Sequence, residues 1–155
     1  MSNKFKLQAV LLPTALVAVG LCIYSFSLAK AAWQDYDDAR LAAFAHQINS
    51  ADHIVATYSF GSVNLTTTGE DAKRVIRAVS SSTSARPPSG TKYKCEYNVK
   101  AAFLRGTNVL GDIEICSDFF LIHHNQPPFR DDTGLLKAMV YEPTEDVYFK
   151  EREAK

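Results

Sequence analysis

Hydrophobic and polar positions alternate most regularly between Tyr93 and Ile122. Tyr93, Cys95, Tyr97, Val99, Ala101 and Phe103 fall on one side, and Lys94, Glu96, Asn98 and Lys100 on the other. This is the period of two that a half-buried strand requires. Arg105-Gly106-Thr107-Asn108 follows, with Gly and Asn to tolerate the positive φ of a tight reversal. Beyond it Ile113, Ile115, Phe119 and Leu121 alternate with Asp112, Glu114 and Asp118. The pattern predicts two long strands folded back on each other as the centre of a small domain.

Upstream, His53 to Phe60 also alternates, with Ile54, Ala56, Tyr58 and Phe60 against Val55, Thr57 and Ser59. Its β-branched and aromatic content predicts a strand. Gly61-Ser62 turns it toward a second short strand, Val63 to Thr67. Thr68-Gly69-Glu70-Asp71 reads as a helix start, Thr68 capping it and the two acids facing its positive end. Ala72, Val75, Ile76 and Val79 then share one stripe, with Lys73, Arg74 and Arg77 outward. A helix this short must dock on the sheet. Ser80 to Gly90 reads as a loose connector.

Trp33, Tyr36, Leu41, Phe44, Ala45 and Ile48 recur at steps of mostly three and four, which predicts a helix over Trp33 to Ile48. Asp37, Asp38, Arg40 and Gln47 fall elsewhere on it. Past Ile122, His123 to Pro128 reads as a loop, and Phe129 to Gly134 continues it with room for a brief strand. Leu135 to Tyr141 is apolar enough to be buried, with a period that fits helix and strand equally. Pro143-Thr144-Glu145 starts a short C-terminal helix, and a charged, frayed tail runs to Lys155.

Leu7 to Ala29 has no charge and follows Lys4 and Lys6. About 20 apolar residues span a bilayer core, so the run suits a transmembrane helix; Pro13 and Gly20 are tolerated there. Ala29-Lys30-Ala31 has the A-x-A form of a signal-peptidase site, which would make Ala32 the new N-terminus. The run exceeds the usual signal core, which favours an uncleaved anchor. Leu21 is too bulky to precede a lipidated Cys22. Trp33 and Tyr36 lie just beyond the run, where amphipathic rings suit the membrane interface or ordinary helix packing.

The organisation expected is a cytoplasmic tail over 1–6, an anchor over 7–29 and one extracytoplasmic α+β domain over 30–155. That domain would have a mostly antiparallel four-stranded sheet with helices packed on one face. Residues 1–30 hold Lys4, Lys6 and Lys30 and no acid, which leaves 14 basic against 17 acidic residues in the remainder. A mildly acidic domain without a Lys/Arg cluster is a poor nucleic-acid binder.

Cys95 and Cys116 are disulfide candidates in an exported domain. Alternation points them to opposite faces, so the pairing needs a bulge near Ser117. His123 and His124 lie close in sequence to Arg130, Asp131 and Asp132, an acid–base set in principle. Adjacent strand residues point opposite ways, however, so the two rings would not converge on one metal. Cys-x-x-Cys and His-x-x-x-His spacings are absent, and the residues imply no cofactor. Asp132-Thr133-Gly134 carries the letters of an aspartic-protease triplet without its second aspartate motif, and Asp131 and Asp132 read more simply as turn and cap residues. Asn64-Leu65-Thr66 matches a glycosylation acceptor. His123, His124, Arg130 and Asp131 remain the candidate binding residues.

The function expected is that of a single-pass inner-membrane protein whose periplasmic domain binds a protein partner, as an accessory, assembly or immunity-like module. The alternatives are a cleaved, secreted binding or inhibitory protein, and a small hydrolase using His123 or His124 with Asp131.

Overall fold

The computed structural model describes residues 3–58, 64–85, 98–122 and 126–154. Its contacts divide the chain into two units, Met1–Tyr36 and Asp37–Lys155. One helix, α1 (Asn3–Ile48), serves both. The apolar run and the helix expected from Trp33 are therefore a single element, with no break at Ala29-Lys30-Ala31. Nothing in Ala29 to Gln34 breaks a helix, and three alanines favour one.

The second unit is α+β. Its strands are β1 (His53–Tyr58), β2 (Asn64–Thr68), β3 (Thr83–Ser84), β4 (Val99–Arg105), β5 (Asn108–Cys116), β6 (Phe119–Leu121) and β7 (Phe129–Arg130). They form one seven-stranded sheet in the order β2-β1-β4-β5-β6-β7-β3, and every pairing is antiparallel. The expectation of four strands was too low. Strands β3, β6 and β7 are two or three residues long, too short to show a period. The connector read from Ser80 thus contributes an edge strand at Thr83–Ser84, paired with Arg130 and Phe129.

The expected second long strand is two strands. The chain reverses at Ser117-Asp118, and Cys116 pairs with Phe119. Ser117 takes φ 59, the left-handed region that rarely holds a residue other than Gly or Asn. The reversal also corrects which residues face the core. Phe120, opposite Ile115, is fully buried, whereas Phe119 and Leu121 are only partly buried. The first reversal is where it was expected, with Gly106 at φ 58 between Arg105 and Asn108. A bulge occurs at Leu110 rather than near Ser117: Phe103 faces Gly111 and Leu104 faces Val109.

Ile54, Ala56 and Tyr58 of β1, Val99, Ala101 and Phe103 of β4, and Ile113 and Ile115 of β5 form the core face of the sheet. Phe44 of α1 meets Phe103 edge-to-face at 6.0 Å. Gly111 sits opposite Phe103 because a Cβ there would lie 2.7 Å from Phe44 Cε2. Helix α2 (Gly69–Ser80) buries Ala72, Val75, Ile76 and Val79, as its stripe predicts, and Ala78 besides. Thr68 occupies the N-cap with extended backbone, but its side chain makes no capping hydrogen bond.

The ambiguous segment after Gly134 is helical. A short turn at Leu135 leads through a π-helical stretch, Lys137–Tyr141, into α3 (Glu142–Glu153). Pro143 accounts for the wide turn. It has no N–H to return to Met139, and the Glu142 N–H bonds Lys137 O, five residues back. Tyr148 of α3 packs on Tyr58 at a ring separation of 4.5 Å.

Candidate functional site

The candidate residues His123 and His124 lie outside the described residues. Asp131 follows β7 directly and is buried at 7% exposure. Its Oδ2 accepts from the Leu136 N–H at 2.8 Å and the Lys137 N–H at 3.2 Å, while Oδ1 accepts from Thr133 Oγ1 at 2.8 Å. Thr133 Oγ1 in turn accepts from the Leu135 N–H at 3.2 Å. Asp131 is thus the N-terminal cap of the helical segment from Leu135, holding otherwise unsatisfied donors of its first turn. Gly134, at φ 68, lets the chain turn there, and its N–H bonds Asp131 O at 3.2 Å.

Asp132 accepts from Thr83 Oγ1 at 2.6 Å and so ties this corner to β3. Asp131 has both oxygens engaged locally, so the role of a carboxylate orienting an imidazole falls to no free acceptor there. Arg130 is exposed on β7, opposite Thr83 and Phe119.

A second polar cluster is buried, and sequence reasoning missed it. Asp37 is fully buried, whereas the amphipathic pattern put it on the solvent side. It accepts from Arg40 Nη1 at 3.1 Å and from Ser84 Oγ at 2.7 Å. Arg40 also reaches Pro127 O at 3.4 Å and lies 5.0 Å from the Phe129 ring centroid. The residues of α1 that face the core are therefore Asp37, Leu41, Phe44 and Ile48, at steps of four, three and four. Trp33 and Tyr36 are 54% and 51% exposed, off that stripe. One signal was available: Asp37 is in register with the stripe, and Arg40 follows at the i,i+3 spacing of a helical ion pair. The cluster pins α1 to the β7-β3 edge. Its Ser84 hydroxyl donates to the same carboxylate that Arg40 pairs with.

A third group lies where α1 ends. Gln47 Nε2 donates to the carbonyl of Leu110, the extra residue of the bulge. Asp52 accepts from the Gly106 N–H at 2.9 Å and contacts His53 Nδ1. The Gly106 amide first, and His53 second, hold the Asp52 carboxyl below its ordinary value. This exposed carboxylate fastens the β4-β5 turn. Among the described residues no set of three His, Cys, Asp or Glu side chains could hold a metal ion.

Of the cysteines, Cys22 is free and exposed on α1. Cys116 is buried, and it shares the parity of Glu114 on the sheet face turned away from the helices, as the alternation requires. Cys95 lies outside the described residues. No protein-family model, no curated protein and no solved structure matches the chain.

Proposed function

We propose that the chain is a single-pass membrane protein whose folded domain, on the extracytoplasmic side of the inner membrane, binds a protein partner. The observation that carries this reading is the exposed apolar surface of α1. Leu16, Val17, Val19, Leu21, Ile23, Phe26 and Leu28 are all more than half exposed, up to 74% at Phe26. A helix that is apolar all round needs apolar surroundings, and each such side chain gains about 1.5–3 kcal/mol when it leaves water. By length and composition α1 is able to cross a membrane.

Three further features support the reading. The uninterrupted helix through Ala29-Lys30-Ala31 favours an anchor over a cleaved, secreted product, because a peptidase needs those bonds unwound. Buried Cys116 is not a free thiol. The β4-β5 register ends at the Val99–Ile115 pair, short of it, so the proposed pairing with Cys95 in an oxidising compartment does not need the bulge near Ser117. Engagement of Asp131 in a helix cap favours binding over hydrolysis.

The test is the intact mass of the chain from alkali-washed membranes, without reductant, before and after thiol alkylation. A full-length mass with alkylation at Cys22 alone is the expected result. A mass beginning at Ala32 in the soluble fraction would establish the secreted alternative. Replacing His123 and His124 together by Ala leaves the phenotype of the chain unchanged if it acts by binding, and abolishes it if the hydrolase reading holds.

A further inference from the structure

The side chains just past the apolar run pose a separate question. Trp33 and Tyr36 are large, half-exposed rings at i,i+3, in edge-to-face contact at 6.3 Å. Both lie off the stripe by which α1 enters the domain core. Lys30, the first charge after Lys6, is three residues earlier and exposed. Steps of three keep all three side chains within about a third of the helix circumference.

The helix geometry locates them. The run from Leu7 to Ala29 rises ~35 Å at ~1.5 Å per residue, against a hydrocarbon core of ~30 Å; a modest tilt absorbs the excess. With Ala29 at the hydrocarbon edge, Trp33 lies ~6 Å and Tyr36 ~10 Å further along the axis. The polar layer on each side of the core is ~5–8 Å thick. Lys30 therefore starts at the inner edge of that layer, Trp33 lies within it and Tyr36 at its outer rim. A cation whose stem runs along apolar surface toward the lipid phosphates, followed by rings with one apolar and one polar end, matches the chemistry of this layer.

We infer that Lys30, Trp33 and Tyr36 form an interfacial collar that binds the phospholipid headgroup layer and fixes the depth at which α1 sits. This rests on the reading of α1 as a membrane anchor. Lys30 supplies the attraction to phosphate, and the two rings resist movement of the helix in either direction.

Trp33 is the only tryptophan of the chain, so its fluorescence reports this position alone. The full-length protein is reconstituted into phosphatidylcholine–phosphatidylglycerol vesicles and floated on a density gradient. Quenching of Trp33 is then read with phospholipids labelled at the headgroup or at the acyl chain end. The collar predicts blue-shifted emission and at least about twofold stronger quenching by the shallow label, because the deep label sits ~20 Å away at the bilayer centre. A floating protein with water-like, unquenched emission overturns the collar and leaves the anchor intact. A floating protein quenched most by the deep label overturns the depth assigned to Trp33. Failure to float with the vesicles removes the anchor reading, and the collar with it.

Discussion

Gly111 offers the sharpest test of how α1 is seated on the sheet. A Cβ built there lies 2.7 Å from Phe44 Cε2, 3.3 Å from Phe44 Cζ and 3.3 Å from Ile48 Cγ2. The first distance is too short for any packed structure, so Gly111→Ala forces the ring to move. Phe44 is not free to swing aside: it is 7% exposed and held edge-to-face against Phe103. Overpacking of this kind costs about 1–3 kcal/mol. Against it stands the gain of ~0.4–1 kcal/mol from a stiffer unfolded chain, available because Gly111 does not occupy a positive φ. The net expectation is a loss of about 1–2 kcal/mol, which for a domain of this size lowers Tm by roughly 3–8 °C.

The assay is thermal unfolding of the full-length chain in detergent, followed by circular dichroism, for Gly111→Ala alone and with Phe44→Leu. The smaller side chain should relieve the clash, giving a coupling of at least about 0.5 kcal/mol between the two sites. A Tm for Gly111→Ala equal to the parent's, or an undiminished cost beside Phe44→Leu, would refute the close approach of α1 to β5.

Arg40→Met removes the ion-pair partner of a buried carboxylate and should cost about 3–5 kcal/mol in urea unfolding. Ser84→Ala should cost only ~1–2 kcal/mol, and the reverse order would sink the account of the Asp37 cluster. Asp131→Ala deprives the Leu135 turn of its cap, at about 1–2 kcal/mol. Hydrogen exchange at the Leu136 and Lys137 amides should quicken, and unchanged exchange there would contradict the cap. The exposed Asp118–Lys137 pair, 3.1 Å apart, gives a pH dependence. The hydrogen bond from Lys137, and then its charge, hold the Asp118 carboxyl below 3.8. A depressed carboxyl stabilises the fold above its unfolded value and loses that contribution as pH falls through its folded value. Lys137→Met should therefore lower Tm near neutrality and converge with the parent below pH 3.8; a gap that persists in acid would exclude the pair as its source.

Much of the molecule was legible because its signals are local. The uncharged run from Leu7 depends on composition alone. The stripe of α2 and the alternation of β1 and β4 each repeat often enough to define a face, and Gly106 marks its own turn. The choice of an α+β domain on an antiparallel sheet followed from these. The cap formed by Asp131 was likewise readable, since an acid ahead of a helical segment has few better partners than that segment's free N–H groups.

Other features depend on contacts between distant segments, which no window of sequence contains. Ser117 adopts a left-handed turn because β6 must return beside β5, and nothing in its own residue type requires that. This reversal gave the core Phe120 in place of Phe119 and Leu121. Thr83–Ser84 becomes a strand only because Phe129–Arg130 lies beside it. Asp37 was placed toward water on its charge, yet Arg40, Ser84 and the packing around Phe129 satisfy it in the interior. The chain by itself determined where its apolar surfaces lie; tertiary packing decided which polar groups could be buried with them, because a buried charge is tolerated only where folding brings its partners.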